Sequence, residues 1–353
     1  MAICLDSREF GILPGGEAIE AWTLCGAGGL QLEVITYGAT ITRLVVPDRQ
    51  GCLADVVLGF DNLDSYLAGR AYFGAIIGRV AGRISGARFE LDGKLYELAG
   101  NEGANHLHGG VKGFDKRIWI AEAMENALGE PLLRLTYRSP DGQEGYPGTV
   151  NTAVTYTVTS DNILRVEVEA NTDKATPFSL TQHSYFNLGG EGSSSITDHE
   201  LQIHADQFVL VDEQMSLLGR VEPVVGRNND FRTLRNLGAA IPLLFKNHGD
   251  LYLTRRSAGS DMLASVARLE HRASGRGLAV STTETHMQLY TGCSLSSSIK
   301  GKSGVPYGPY AGLCLECEGY SDGPNSPRCG DIILRPGHPR RETTEYAFLV
   351  LPL

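Results

Sequence analysis

The chain has 353 residues, 42% hydrophobic and 20% charged, with 31 Lys plus Arg against 41 Asp plus Glu, a net charge of −10. That composition excludes a disordered chain and supplies apolar material for a large core. An acidic balance without any basic run also argues against phosphate backbones and anionic surfaces, so neither nucleic acid nor membrane is an expected partner.

The N-terminus, "MAICLDSREFGILPGG", has neither a basic start nor an apolar stretch of signal-peptide length, and no segment approaches membrane-spanning length. A cytoplasmic location is therefore expected. Seven scattered cysteines, an odd number, predict reduced thiols rather than a disulfide framework, and no Asn-x-Ser/Thr acceptor is present.

Taken in chain order, "LQLEVITYGATITRLVVPDRQG" (30–51) alternates apolar and polar residues and reads as paired strands. A short helix is predicted near Leu63 to Leu67. In "NTAVTYTVTSDNILRVEVEANT" (151–172), Val154, Tyr156 and Val158 alternate with polar neighbours, Ser160-Asp161-Asn162 supplies turn chemistry, and Leu164, Val166 and Val168 resume the pattern. That is a hairpin. "GGEGSSSITDHE" (189–200) is too short to be more than a loop. "VARLEHRASGRGLAVSTTE" (266–284) predicts a second hairpin turning at Ser274 to Gly277, and the closing "TTEYAFLVLPL" another strand. Strand signals run from end to end, with 43 glycines and neither linker nor repeat. The expectation is an all-β chain: one large antiparallel β-sandwich or barrel-like domain over residues 1–353, with a groove across a sheet for a small ligand.

Four stretches place ionisable or multidentate side chains beside glycines or aromatic rings: "GRVAGRI" (78–84), "NHLHGG" (105–110), "TQHSYFNL" (181–188) and "GLCLECEGYSDGPN" (312–325). If residues 179 to 190 are extended, His183, Tyr185 and Asn187 share one face. The plain alternative is that this polar face meets water. In "GLCLEC", alternation sends Cys314 and Glu316 to one face, making Glu316 either a base or nucleophile, or a rim carboxylate in a salt bridge. Cys314-x-x-Cys317 has a zinc-like spacing but lacks a second half, and no metal is expected. His106 and His108 share a face if extended, one of them structural and the other at a groove floor. Arg79 and Arg83 would share a face only on a helix, with surface ion pairing as the plain alternative. No Gly-x-Ser-x-Gly elbow, Walker loop or dinucleotide fingerprint is present, so no organic cofactor is indicated. Residue types alone lead to a β-sandwich with a polar groove suited to acid/base chemistry on a neutral polar ligand.

Nine segments in this order resemble the aldose 1-epimerase (galactose mutarotase) family, among them "YFGAIIGRVAGRI", "NHLHGGVKGFDKRIW", "ATPFSLTQHSYFNLGG", "YTGCSLSSSIKGKSG" and "GLCLECEGYSDGPN". The likeness spans nearly the whole chain. It implies a large antiparallel β-sandwich that interconverts the α and β anomers of free aldoses such as galactose and glucose, without metal or organic cofactor. It implies that His183 is the general acid at the ring oxygen and Glu316 the general base at the C1 hydroxyl. It assigns sugar binding to Arg83, His108 and Gln288.

Two departures stand out. Gly82 replaces the family's usual Asn beside the arginine. The "DHNF" stretch, whose aspartate binds sugar hydroxyls, reads "FKNHGDLYL" (245–253), so that Asp250 from a shifted position, or Asn247 through neutral hydrogen bonds, takes that role. The alternative function is a catalytically weak sugar-binding or regulatory protein on the same fold. A glycoside hydrolase would need a second carboxylate beside Glu316. Which aldose is preferred, and the oligomeric state, stay open.

Overall fold

The structure, a computed structural model, describes residues 3–69, 71–193, 195–255, 262–327 and 330–352. Its framework is a nine-stranded sheet in the order Ile120–Glu125, Pro131–Ser139, Val150–Val158, Ile163–Thr172, Arg340–Val350, Arg276–Thr282, Ala264–His271, Glu200–Ile203, Arg235–Asn236, every pairing antiparallel. The alternation read from the sequence decides which face is buried. Leu133, Leu135, Val154, Tyr156 and Val158 are fully buried on one side, with Leu164 and Val166 opposite them on the next strand.

Two five-stranded antiparallel sheets contribute to the same core. The first runs Cys4–Ile12, Ala18–Cys25, Gln31–Ile35, Thr40–Pro47, Leu53–Asp55; its Leu24, Leu32 and Val34 join the cluster that holds Leu133 and Val154. The second runs Leu217–Pro223, Gln207–Val211, Leu251–Leu253, His286–Tyr290, Cys314–Glu318, and gives Tyr252, Met287, Leu289, Leu315 and Cys317 to that cluster. Its last two strands turn their other face to the candidate site. The expectation of an all-β antiparallel sandwich is met.

The first hairpin has the predicted register, Val154 opposite Val168 and Tyr156 opposite Val166, and Asn162 takes the left-handed conformation (φ 60°) in its turn. The second turns earlier than predicted: His271 pairs with Arg276, so Arg276 and Gly277 already belong to the returning strand. The short helix is Leu63–Ala68, capped by Asn62, whose side chain accepts the Ser65 N–H at 2.9 Å. The prediction of reduced thiols needs correction at one pair. Cys4 and Cys25 are direct cross-strand partners with Cα atoms 4.8 Å apart and form a disulfide, while Cys52, Cys293, Cys314 and Cys317 are free. Spacing along the chain carries no signal for such a pairing. Among the described residues no helix is long and apolar enough to cross a membrane.

Candidate active site

The strand Cys314–Glu318 is the axis of the site. Its alternation puts Leu315 and Cys317 into the core and turns Cys314, Glu316 and Glu318 to the opposite face. Cys314 and Cys317 thus face opposite ways, which removes the zinc-like reading of their spacing. Beside this strand runs His286–Tyr290, with Gln288 paired to Glu316. Above them lies a cavity of about 610 Å³, lined by Tyr72, Gly82, Arg83, Glu102, His108, His183, Tyr185, His248, Gln288, Tyr290, Glu316 and Glu318 among others. That size suits a monosaccharide with its first water shell.

His183 reaches the cavity from a segment that is less regular than predicted. The strand there is only Thr181–Gln182, after which backbone bonds His183 N–H to Ala75 O and Gly74 N–H to His183 O fix the chain. His183 and Tyr185 both line the cavity, whereas Asn187 departs to donate to Ala311 O at 2.8 Å. The imidazole of His183 stacks on Tyr185 (centroids 5.1 Å) and Tyr72 (5.8 Å) and meets His108 edge-on at 5.4 Å. Its Nε2 lies 3.4 Å from Glu316 Oε2, and both side chains are 4% exposed. Its Nδ1 is 3.5 Å from Cys314 Sγ. Burial pushes the His183 pKa down to about 4 and that of Glu316 up to about 8, each toward its neutral form.

His106 and His108 do not share a face, because the chain turns at His108 (φ 53°) and again at Gly109 and Gly110. His106 is fully buried, with Nδ1 bonded to Ala99 O and its ring on Tyr146. His108 faces the cavity. Its Nδ1 accepts the N–H of Gly82 at 3.2 Å, and burial holds its pKa well below the usual value, so the neutral ring carries its proton on Nε2 as a donor. The two arginines also diverge. Arg79, 2% exposed, donates to Pro147 O, Gly148 O and Ser139 Oγ at 2.8, 3.0 and 2.5 Å, which overturns the surface ion-pair reading. Arg83 lines the cavity, aligned by a two-pronged bond to Glu102 at 2.6 Å on each arm.

Asp250 is not brought to this cavity. It lies in a separate groove with Phe208, Leu243 and Phe245, where its carboxylate accepts from Asn229 at 3.0 Å. His248, two residues earlier, is the one that enters the site, packed on Tyr290 with centroids 4.7 Å apart, and burial lowers its pKa to about 4. Asn247 stays outside, donating to Tyr310 Oη at 3.3 Å. The sequence reading missed His248 and Glu318. Strand alternation after Glu316 was the available signal for Glu318, while nothing local distinguished His248 from Asp250.

Among the described residues two groups place three metal-type ligand atoms within 4.8 Å of one another, His108–His183–Glu316 and Asp198–His199–His271. In each, a backbone N–H already occupies a ring nitrogen: Gly82 N–H on His108 and Leu188 N–H on His199 Nε2 at 2.9 Å. The fixed tautomer of His108 offers its cavity an N–H, which suits a hydroxyl oxygen. That of His199 places a proton on Nδ1, directed at Asp198 Oδ1 2.9 Å away.

A family profile described as aldose 1-epimerase matches residues 20–347. The chain is 43% identical over 342 residues to the galactose mutarotase of Homo sapiens, covering 97% of each chain, and 32% identical over 346 residues to the aldose 1-epimerase of Escherichia coli K12, covering 96% of this chain and 97% of the relative. The crystal structure of an aldose epimerase homologue from C. elegans superposes with a TM-score of 0.84 at 29% identity, over 99% of this chain and all of the other.

Proposed function

The chain belongs to the aldose 1-epimerase family and is an isomerase that interconverts the α and β anomers of aldoses, and from that premise we propose how its pocket performs the reaction. His183 is the acid at the ring oxygen and Glu316 the base at the C1 hydroxyl. The observation that carries this is their 3.4 Å approach in a closed environment. With the pKa of one lowered and that of the other raised, the pair holds a single proton near neutrality.

The two placements of that proton correspond to two stages of the reaction. With imidazolium and carboxylate, Glu316 takes the C1 hydroxyl proton, the O–H electrons form the carbonyl, and the electrons of the C1–O5 bond take the proton from His183. The open aldehyde then faces a neutral imidazole and a carboxylic acid, which is the arrangement burial favours in the empty pocket. Rotation about C1–C2 presents the other carbonyl face, and reclosure returns both protons, giving the other anomer. Hydrogen bonds from bound sugar hydroxyls to Glu316, with Arg83 nearby, favour the charged arrangement that begins ring opening.

Arg83, His108 and Gln288 hold the remaining sugar hydroxyls, and the free Nε2 of His248 accepts a hydrogen bond in the role expected of Asp250 or Asn247. Galactose and glucose are the proposed substrates. A single-domain reading of residues 1–353 is supported by one hydrophobic cluster that draws on residues from Leu24 to Phe348. The test is polarimetry of freshly dissolved α-D-galactose and α-D-glucose with the wild type and with Glu316→Gln. Acceleration by the wild type alone is expected; sugar binding without acceleration above the spontaneous rate would replace this reading with that of a sugar-binding protein.

A further inference from the structure

Glu318 is 3% exposed, lines the cavity one pleat from Glu316, and its carboxyl makes no hydrogen bond or ion pair with the described residues. With no partner among the described residues, the carboxyl opens onto the cavity, and holding a largely desolvated carboxyl there does not serve the stability of the fold. The arginine nearest in charge terms is committed elsewhere, Arg83 giving two of its nitrogens to Glu102. Space for the carboxyl comes from Gly82: a Cβ at that position would lie 3.1 Å from Glu318 Oε1 and 2.9 Å from Ser321 Cβ, and the residue's φ of 75° suits glycine. The missing side chain at position 82 and the unpartnered carboxyl at 318 therefore share one corner of the site.

We propose that Glu318 is a specificity-determining residue that hydrogen-bonds a sugar hydroxyl other than the one on C1. This rests on the mutarotase reading of the same pocket. Same-face neighbours on a strand stand about 6–7 Å apart, so a carboxyl at 318 addresses a part of the ring that Glu316, occupied with C1, does not reach. A carboxyl can donate to and accept from a hydroxyl, which matches the chemistry of an aldose and needs no charge on the ligand.

The experiment is a cycle of protein and ligand changes. Dissociation constants are measured by calorimetry for galactose and its 2-, 3-, 4- and 6-deoxy derivatives with wild type, Glu318→Ala and Glu318→Gln, and mutarotation is followed in parallel by polarimetry. For the wild type, one deoxy sugar binds roughly 10-fold more weakly than galactose. In Glu318→Ala galactose weakens by about the same factor and that deoxy sugar loses nothing more, because the two deletions remove one interaction. Glu318→Gln, which still hydrogen-bonds, recovers most of the affinity. Equal weakening on every sugar, or no weakening, overturns the role of Glu318. If sugars bind but none is interconverted, the catalytic reading fails while the binding cycle still decides the inference; if no aldose binds, both fall.

Discussion

His183 Nε2 and Glu316 Oε2 stand 3.4 Å apart with each side chain 4% exposed, so the two groups titrate as a unit. Burial sets the limits of that unit near 4 on the acid side, where His183 gains a second proton for the pair, and near 8 on the alkaline side, where Glu316 loses the last one. Because kcat/KM reports the free enzyme, its pH profile for galactose mutarotation should rise through the first value, hold a plateau, and fall through the second. A profile flat from pH 4 to 10 would show that the pair does not carry the proton transfers.

Replacing the base separates chemistry from stability. Glu316→Gln should lower kcat by about 10²–10⁴-fold, the usual worth of a positioned acid or base. The same change should stabilise the fold at alkaline pH. A carboxyl whose folded pKa is raised from 4.5 to about 8 favours the fold below 4.5, and that contribution is lost as pH climbs toward 8. Urea melts of the two proteins should coincide near pH 4 and diverge by on the order of 2–3 kcal/mol at pH 9, the variant being the more stable.

Arg79 is a stability residue. Its guanidinium is buried against the carbonyls of Pro147 and Gly148 and the hydroxyls of Ser139 and Thr176, and it does not line the cavity. Arg79→Met should lower unfolding free energy by about 3–5 kcal/mol in urea melts, since it strands several buried acceptors. Enzyme that remains folded should keep the wild-type KM for galactose. A raised KM with unchanged stability would place Arg79 in substrate binding after all.

What the sequence made legible follows the reach of each signal. Period-two alternation found the hairpin at Val154 to Val168 and the cavity-facing side of Cys314–Glu318, because on a strand the side chain's direction depends only on the backbone pleat. It failed where the chain leaves that geometry. His108 takes a left-handed conformation that turns it away from His106, and the segment after Gln182 is held by backbone bonds to Gly74 and Ala75, segments distant in the chain. The Cys4–Cys25 bond depends on register between strands, which pairs residues without regard to their spacing. Resemblance supplied the proposed roles of His183 and Glu316, but in the altered stretch 245–253 it had no motif to align and offered Asp250 or Asn247, where the fold brings His248 to the cavity.

That choice gives the last prediction. His248 lines the cavity as a neutral imidazole packed on Tyr290, its Nδ1 donating to Gly249 O at 3.2 Å so that Nε2 is left to accept from a sugar hydroxyl, while Asp250 accepts from Asn229 in a different groove. His248→Ala should raise KM for galactose by about 2–10-fold, the value of one hydrogen bond, with a smaller change in kcat. Asp250→Asn should leave both constants within about twofold, since nothing it touches reaches the sugar. It should also stabilise the fold slightly: burial raises the Asp250 pKa from 3.8 to about 6, so the carboxyl's contribution is full below 3.8 and is lost as pH climbs from there through 6, and the amide avoids the loss while its oxygen still accepts from Asn229. Partial exposure of the side chain limits the gain at pH 8 to about 1 kcal/mol. A rise in KM in Asp250→Asn with none in His248→Ala would reverse the assignment and return the sugar-binding role to the carboxylate.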